Sequence, residues 1–254
     1  MANDLFSLQG KAYSAIRDPV TGKPGKLTFL GNVSKASASL NPNISKKYES
    51  QTGKRYLYGQ LMKERDATFN VVFDELKKEA LVLGLMGAAA SIAGGVVAAE
   101  AFPAGLVAGD SVQLAHQLVT GLAIVDSAAA PLVAGVNYAQ DPNGGSVVDI
   151  LNVGAFVQPF SAAYNFATVD NITMMTDIVL PERYIVFDGV DSFTGGLINV
   201  HLFRVQFPPA KDFNLIDPDW GGLDLTGGIL YDPINAAIAN MGGFGRINKT
   251  PQTT

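Results

Sequence analysis

Hydrophobic and polar positions alternate with a period of two along much of the chain. The clearest run covers residues 66–73, where Ala67, Phe69, Val71 and Phe73 fall on one face and mostly polar residues on the other. A strand with one buried face has this pattern. Shorter runs follow at 111–119, 162–169, 183–190, 197–207 and 223–230, separated by turns rich in Gly and Pro. The pattern predicts a mainly β fold of the sandwich or barrel class.

One segment changes to the helical period. In residues 74–87, Leu76, Ala80, Leu83 and Met86 recur at intervals of three or four, with charged residues between them. Such spacing is typical of an amphipathic helix with one apolar face. Asp74 is a suitable N-cap, and the glycine at 87 is a suitable stop. We therefore expect one α-helix over residues 74–87, flanking the β domain.

The remaining polar segments predict extensions around a single domain. Residues 1–25 contain the turn-rich stretch DPVTGKPGK and are expected to form an N-terminal arm. The β domain is expected over residues 26–233, and residues 234–254 are expected to form a disordered C-terminal tail with one short helix. The stretch KKYESQTGKR at 46–55 lies between two strand-like runs and predicts a protruding loop.

A membrane-spanning segment is not expected. Residues 80–99 carry no charge over twenty positions, about the length that a spanning helix needs, but four glycines interrupt them. We interpret them as the end of the helix followed by a buried strand of small residues. The start of the chain lacks a basic region followed by an apolar one, so we expect no secretory signal and synthesis in the cytosol.

Charge is distributed unevenly along the chain. Residues 1–85 carry 13 Lys and Arg against 8 Asp and Glu, whereas residues 86–254 carry 5 against 15. This asymmetry describes electric fields and partners rather than the fold. Two interpretations remain open: two differently charged faces of a monomer, or head-to-tail association in which a basic edge of one copy meets an acidic edge of the next.

The usual reagents of enzymes are scarce. There is no Cys, no G-x-S-x-G and no phosphate-binding P-loop, and both histidines, His116 and His201, fall in strand-like runs where a structural role is the more common one. Asp217, Asp219 and Asp224 lack the spacing of a calcium loop, and turn chemistry explains them. We predict no catalytic residue, no cofactor and no metal site, a profile typical of an assembly component.

Two long stretches resemble a known family. Residues 26–87 contain Glu49, Ser50, Thr52 and Gly53 in an E-S-x-T-G loop, then the strand and helix described above. Together with residues 103–150 and 183–233, they resemble the major tail tube proteins of long-tailed bacteriophages, of the non-contractile, siphovirus-like kind. The resemblance covers residues 25–233 in order and spacing. Asp191 departs from it, because that family carries an amide there.

The resemblance implies a function as a structural virion protein. Copies of such a subunit close into rings, expected to be hexameric, with their inner sheets joined into a barrel. The rings stack into the tail tube, the conduit through which genomic DNA passes without specific binding. It further implies three partners besides the chain itself, namely a tape measure protein in the lumen, a tail terminator and a distal tail protein. The expected location is the virion, after assembly in the cytoplasm of the bacterial host.

Within that function, the protruding loop is the predicted joint between rings. The residues expected to contact the adjacent ring are Lys46, Lys47, Tyr48, Glu49, Lys54 and Arg55. Three alternatives stay open on sequence alone. They are the inner tube of a contractile tail or contractile secretion system, a carbohydrate-binding β-sandwich, and a hydrolase, although no catalytic triad is visible.

Overall fold

The computed structural model describes residues 5–143, 145–216 and 218–251. These residues form sixteen strands and two helices in the following order along the chain: β1 Leu8–Ala15, β2 Thr28–Phe29, β3 Val33–Tyr48, β4 Leu57–Phe73, α1 Lys78–Leu85, β5 Ala89–Ile92, β6 Gly95–Ala101, β7 Ser111–Gln113, β8 Val119–Val125, β9 Tyr138–Gln140, β10 Val147–Ile150, β11 Ser161–Phe166, β12 Val169–Ile172, β13 Glu182–Asp191, β14 Leu197–Gln206, β15 Leu223–Ile229, α2 Pro233–Ala236 and β16 Gly245–Lys249. The fold is mainly β with antiparallel sheets, as the alternating pattern predicts.

The chain forms two compact units. Unit 1 contains the segments before residue 89 and from residue 172 onwards, and unit 2 is Ala89–Asn171. The domain expected over residues 26–233 therefore includes the whole of unit 2 as an insertion. Each unit has its own hydrophobic core.

Unit 1 is built on one eight-stranded sheet. Its strand order is β2-β1-β13-β14-β15-β4-β3, and β16 pairs with β14. The two edges of this sheet are β2, of only two residues, and β3, of sixteen. Residues of β1 and of β3 line the same cavity of about 540 Å³, together with side chains from strands between them. The sheet therefore curls so that its first and last long strands face one another across this cavity.

The core of unit 1 lies under the inward face of β4. Phe69, Val71 and Phe73 are buried, as the alternation predicts, and they pack with Leu223 and Leu225 of the neighbouring β15. At about 1.5–3 kcal/mol for each large apolar side chain removed from water, this face is a major source of stability.

Helix α1 covers this core with a shorter segment than expected. It begins at Lys78 rather than near Asp74. Its N-cap residue is Lys77, which makes no side-chain capping hydrogen bond. Ala80, Leu83 and Met86 are buried, but Leu76 lies before the helix and is 59% exposed. The left-handed residue that ends the helix is Met86, with φ 48°, one position before the predicted glycine.

Unit 2 consists of short sheets. β6, β11 and β8 form one three-stranded sheet, β7, β10 and β9 form another, and β5 pairs with β12. The buried faces of the two three-stranded sheets share one core. Its fully buried members include Val148, Ile150, Phe160 and Ala162.

Both predicted extensions contain strands of the main sheet. In the N-terminal arm, β1 pairs along its whole length with β13, from Leu8 opposite Asp191 to Ala15 opposite Tyr184. In the C-terminal tail, β16 pairs with residues 198–202 of β14. The expected disorder of this tail is wrong for residues 245–249, because a distant strand supplies their hydrogen bonds. Residues 1–4 and 252–254 lie outside the described residues.

The uncharged stretch at 80–99 forms the end of α1, then β5 and β6. The predicted change from helix to strand is therefore confirmed, but the strands are not buried: β5 and β6 are mostly exposed, and Val96 is 76% exposed. Among the described residues, neither helix combines the length and the apolar character needed to cross a bilayer.

Candidate functional site

The most prominent surface feature is the hairpin of β3 and β4. Its strands pair antiparallel from Val33 opposite Phe73 to Tyr48 opposite Leu57, with three irregularities of register. At about 3.3 Å per residue, the 17 residues of β4 extend over roughly 55 Å. Only residues 67–73 of β4 alternate between buried and partly buried positions, and residues 57–66 are almost all exposed. The hairpin therefore extends well beyond the core that supports its base.

We call residues 40–66 the distal hairpin. Its exposed large side chains occur on both strands: Leu40, Ile44, Tyr48, Tyr56, Leu57, Tyr58, Leu61 and Met62. The same segment carries six Lys or Arg and three Asp or Glu, an excess of three positive charges. A two-stranded ribbon exposed on both faces is marginal by itself. Apolar exposure of this extent is typical of a surface that another protein covers.

Regular pairing extends into the predicted loop of residues 46–55, because β3 ends only at Tyr48. The turn-like stretch Asn41-Pro42-Asn43 is part of β3, where Asn41 lies opposite Asp66 and Asn43 opposite Glu64. Pro42 is tolerated because β3 is the edge of the sheet and needs no donor on its outer side. Asn43 also donates a side-chain hydrogen bond of 3.0 Å to the Glu64 carboxylate.

The tip loop comprises residues 49–56 and is organised around Glu49. The Glu49 carboxylate accepts hydrogen bonds from the backbone N–H groups of Gln51, at 2.7 Å, and Thr52, at 3.0 Å, and from the Thr52 hydroxyl. The Glu49 N–H donates to the carbonyl of Tyr56 at 2.8 Å. The hydrogen bonds from Thr52, above all from its hydroxyl, lower the pKa of Glu49 to about 2.

The six predicted contact residues have two different roles in this geometry. Lys46, Lys47 and Tyr48 are exposed on the end of β3, and Lys54 and Arg55 are exposed on the loop. Within the described part of the chain, none of these four cations forms an ion pair. Glu49 belongs instead to the internal structure of the loop. The E-S-x-T-G pattern is the sequence signal for this loop, since Glu49 and Thr52 are the residues that close it.

The acidic excess of the chain is concentrated in unit 2. Residues 89–171 contain six Asp or Glu and no Lys or Arg, so that unit 1 is nearly neutral overall. The charge asymmetry seen in the sequence thus follows the two units only in part, because residues 172–254 of unit 1 also carry more Asp and Glu than Lys and Arg. Residues 89–171 contain no Lys or Arg with which to hold a phosphate.

Both histidines are hydrogen-bonded to tyrosine hydroxyls. In unit 2, His116 stacks on Phe166 at a centroid distance of 3.7 Å, and its Nδ1 lies 3.1 Å from the Tyr164 hydroxyl. The Tyr164 hydroxyl donates to Glu100, and burial and this carboxylate raise the pKa of Tyr164 to about 12. His116 lies outside the strands, contrary to its predicted place in a strand-like run.

The second histidine, His201, lies on β14 in unit 1. Its Nδ1 is 3.0 Å from the Tyr184 hydroxyl. Burial lowers the pKa of His201, because it disfavours the charged imidazolium. The described residues contain no group of three or more His, Asp or Glu side chains placed to hold a metal ion. Asp217, one of the carboxylates weighed for calcium, lies outside them.

A comparison with known protein families gives one match over most of the chain. The model of a family described as "Protein of unknown function UCP028589" matches residues 5–248. The match includes the hairpin, the whole of unit 2 and all but the last residue of β16. No curated protein matches the chain.

Proposed function

This chain belongs to the family of proteins of unknown function UCP028589, and we propose that it is a structural virion protein that polymerises as stacked rings into a phage tail tube. The observation that carries the proposal is the distal hairpin, which projects from the sheet with both faces and its β3 edge uncovered. In the proposed assembly the rings are hexameric, and the tail is non-contractile. The partners are further copies of the chain, a tape measure protein, a tail terminator and a distal tail protein.

The open edges of the main sheet support ring closure. β3 presents sixteen residues at one edge, and at the other edge β1 pairs with β2 only through Tyr13 and Ser14. Long unpaired edges are sites at which another chain adds its own strand. Joining the β3 edge of one copy to the opposite edge of the next covers both, and it closes the sheets of a ring into a barrel.

The distal hairpin supports stacking of rings. It is exposed, positively charged and directed away from the core, so it can reach beyond the subunit that carries it. Contacts between two different surfaces of identical subunits produce an open filament when the rotation does not close, which is the geometry of a tube. The positive charge for this contact comes from Lys46, Lys47, Lys54 and Arg55. The hydrogen bonds of Glu49 stabilise the conformation of the tip loop.

The net negative charge of the chain fits a conduit for DNA. A lumen with carboxylates and few Lys or Arg repels the phosphate backbone over about a Debye length, roughly 8 Å at physiological ionic strength. DNA can pass such a surface without being retained.

Electron microscopy of the purified protein tests the proposal. We expect rings or hollow tubes in negative stain, with an axial repeat set by one ring. A monodisperse monomer at every concentration would contradict it. A variant that lacks residues 44–55 is expected to remain folded by circular dichroism but to form no tubes. Tubes of normal length from this variant would exclude the distal hairpin as the joint. A sheath gene beside this one would indicate the contractile alternative.

A further inference from the structure

The two ends of the main sheet differ in character. β4 runs from Leu57 near the hairpin tip to Phe73, and Phe73 pairs with Leu223, the first residue of β15. The residues just before Leu223 therefore adjoin the end of the sheet that is remote from the tip. They are the last part of the loop of residues 207–222, which connects β14 to β15 and begins at the buried Phe207.

Helix α1 anchors the start of this loop. The N–H of Ala210 donates to the carbonyl of Gly84 at 2.7 Å, and that of Phe207 donates to the carbonyl of Pro181 at 3.2 Å. A second loop is held beside it, since the N–H of Met175 donates to the carbonyl of Leu85 at 2.8 Å. Both loops thus use carbonyls that the helix leaves without intrahelical donors.

The anchored loop carries large apolar side chains in solvent. Leu215 is 83% exposed, Ile216 is 94% exposed and Trp220 is 98% exposed. We call these three residues the apolar knob. Single exposed apolar residues are ordinary, but three large ones within six positions form a patch, and Trp is the residue most often found as an anchor in interfaces. The loop contains three Asp against one Lys, so the knob lies in an acidic segment.

A cleft nearer the hairpin tip is apolar, as the knob is. It has a volume of about 320 Å³ and lies at the base of the distal hairpin. Its apolar lining consists of Leu40, Pro42, Met62, Ala67 and Phe244, and Arg65 and Asp66 complete it. An open cleft with so few polar groups offers water few hydrogen bonds, so an apolar side chain is the occupant that it favours.

We propose that the apolar knob of one copy occupies the hairpin-base cleft of the next copy, with Trp220 as the anchor. The inference rests on the proposed tube function and names the pair of surfaces that joins successive rings. A copy cannot fill its own cleft through Trp220. Met62 is eleven residues from Phe73 along β4, about 36 Å at 3.3 Å per residue, whereas Trp220 is only three residues before Leu223, the partner of Phe73.

Charge complementarity favours a second copy as the occupant. The distal hairpin has an excess of three positive charges, and the knob loop has an excess of two negative charges. The two surfaces differ and lie well apart along β4, so their contact is head-to-tail and propagates instead of closing into a dimer.

Disulfide trapping tests the contact directly, since the chain contains no Cys of its own. In a Met62→Cys, Gly221→Cys variant, which keeps Trp220 and places a side chain where a Cβ has free space, mild oxidation of assembled protein is expected to give a ladder of linked chains on non-reducing gels. A disulfide needs Cα atoms within about 7 Å, so an intramolecular link is excluded by the distance along β4. The matched control is Lys54→Cys with Gly221→Cys, which places the first thiol at the hairpin tip and is expected to give no ladder.

Single substitutions give an independent measurement. Trp220→Ala is expected to raise the critical concentration for assembly about tenfold or more, the effect of losing a buried aromatic anchor. Trp220→Phe is expected to retain most of the assembly. Both variants should keep the melting temperature of the unassembled subunit, because the side chain is almost fully exposed there.

The outcomes separate the two proposals. Tubes of the Met62→Cys, Gly221→Cys variant that give no ladder on oxidation, or a ladder from the Lys54 control instead, would overturn the knob-and-cleft contact and leave the tube function standing. Wild-type protein that forms no assemblies at any concentration would overturn both.

Discussion

The guanidinium of Arg17 donates two hydrogen bonds to the carboxylate of Asp232, from Nε at 2.9 Å and from Nη2 at 2.7 Å. The side chain of Asp232 is fully buried and that of Arg17 is 9% exposed. Asp232 also accepts from the N–H of Ile234 and the side-chain amide of Asn235, which in turn donates to the carbonyl of Gly22. One buried carboxylate thus ties the predicted N-terminal arm to the start of the predicted tail.

Breaking this pair is expected to destabilise unit 1 strongly. Arg17→Ala leaves Asp232 buried without its cation, a change that costs about 3–5 kcal/mol in unfolding free energy. Lys77→Ala is the control, because the Lys77–Glu75 pair is exposed and contributes about 0–1 kcal/mol. Urea unfolding of the unassembled subunit measures both. Equal, small decreases in unfolding free energy for the two variants would show that the Arg17–Asp232 pair does not stabilise the attachment of the N-terminal arm.

The same carboxylate gives the subunit an acid-sensitive component of stability. Burial alone would raise the pKa of Asp232, but the hydrogen bonds from Arg17 and Asn235 hold it below the ordinary 3.8. A lowered pKa in the folded state means that this stabilisation is complete above about pH 4 and is lost as the pH falls through the folded-state value.

Thermal melts between pH 3 and pH 7 check this dependence. The wild-type melting temperature is expected to fall below about pH 4, the ordinary range of an aspartate. Asp191, whose pKa is lowered by hydrogen bonds from the Ser7 N–H and the Thr194 hydroxyl, adds to the same trend. Asp232→Asn is expected to lower the melting temperature at pH 7 and to flatten the pH profile. A profile as steep as that of the wild type would assign the acid sensitivity to other groups.

The exposures along α1 predict opposite results for two leucines. Leu83 is fully buried in the core under β4, so Leu83→Ala is expected to cost about 2–5 kcal/mol. Leu76→Ala is the control, because this side chain is 59% exposed and lies before the helix, and its cost is expected to be within about 0.5 kcal/mol. Chemical denaturation of both variants decides the point. A large decrease in unfolding free energy for Leu76→Ala would support the longer helix that the sequence predicts.

Reversing charge on the distal hairpin is expected to prevent assembly without unfolding the subunit. In Lys46→Glu with Lys47→Glu, two exposed cations become anions that repel the acidic segments of the next ring. Lys23→Glu with Lys26→Glu changes the net charge by the same amount at exposed positions outside the hairpin. Light scattering of both variants at low salt measures tube formation. Loss of tubes in both would point to net charge rather than to this surface.

Features that depend on neighbouring residues could be predicted from the sequence alone. The period of two placed Phe69, Val71 and Phe73 on a buried face, since alternate side chains of a strand always point the same way. The helical period correctly predicted that Ala80, Leu83 and Met86 are buried. The E-S-x-T-G pattern located a loop that Glu49 and Thr52 close through contacts three residues apart. The uneven charge was also visible, because it needs only counting.

Tertiary structure decided what depends on distant residues. From the sequence, β1 and β16 are expected to belong to a polar arm and a disordered tail. In the structure they are strands, because β13 and β14 supply their hydrogen bonds. Asn41-Pro42-Asn43 is a turn signal locally, yet pairing with residues 64–66 keeps it extended. The exposure of Trp220 and the cleft beside Met62 follow from where the sheet ends and how far the hairpin projects. The local sequence pattern predicts to which face of a strand a side chain points. Which residues that side chain contacts depends on the order of the strands in the sheet.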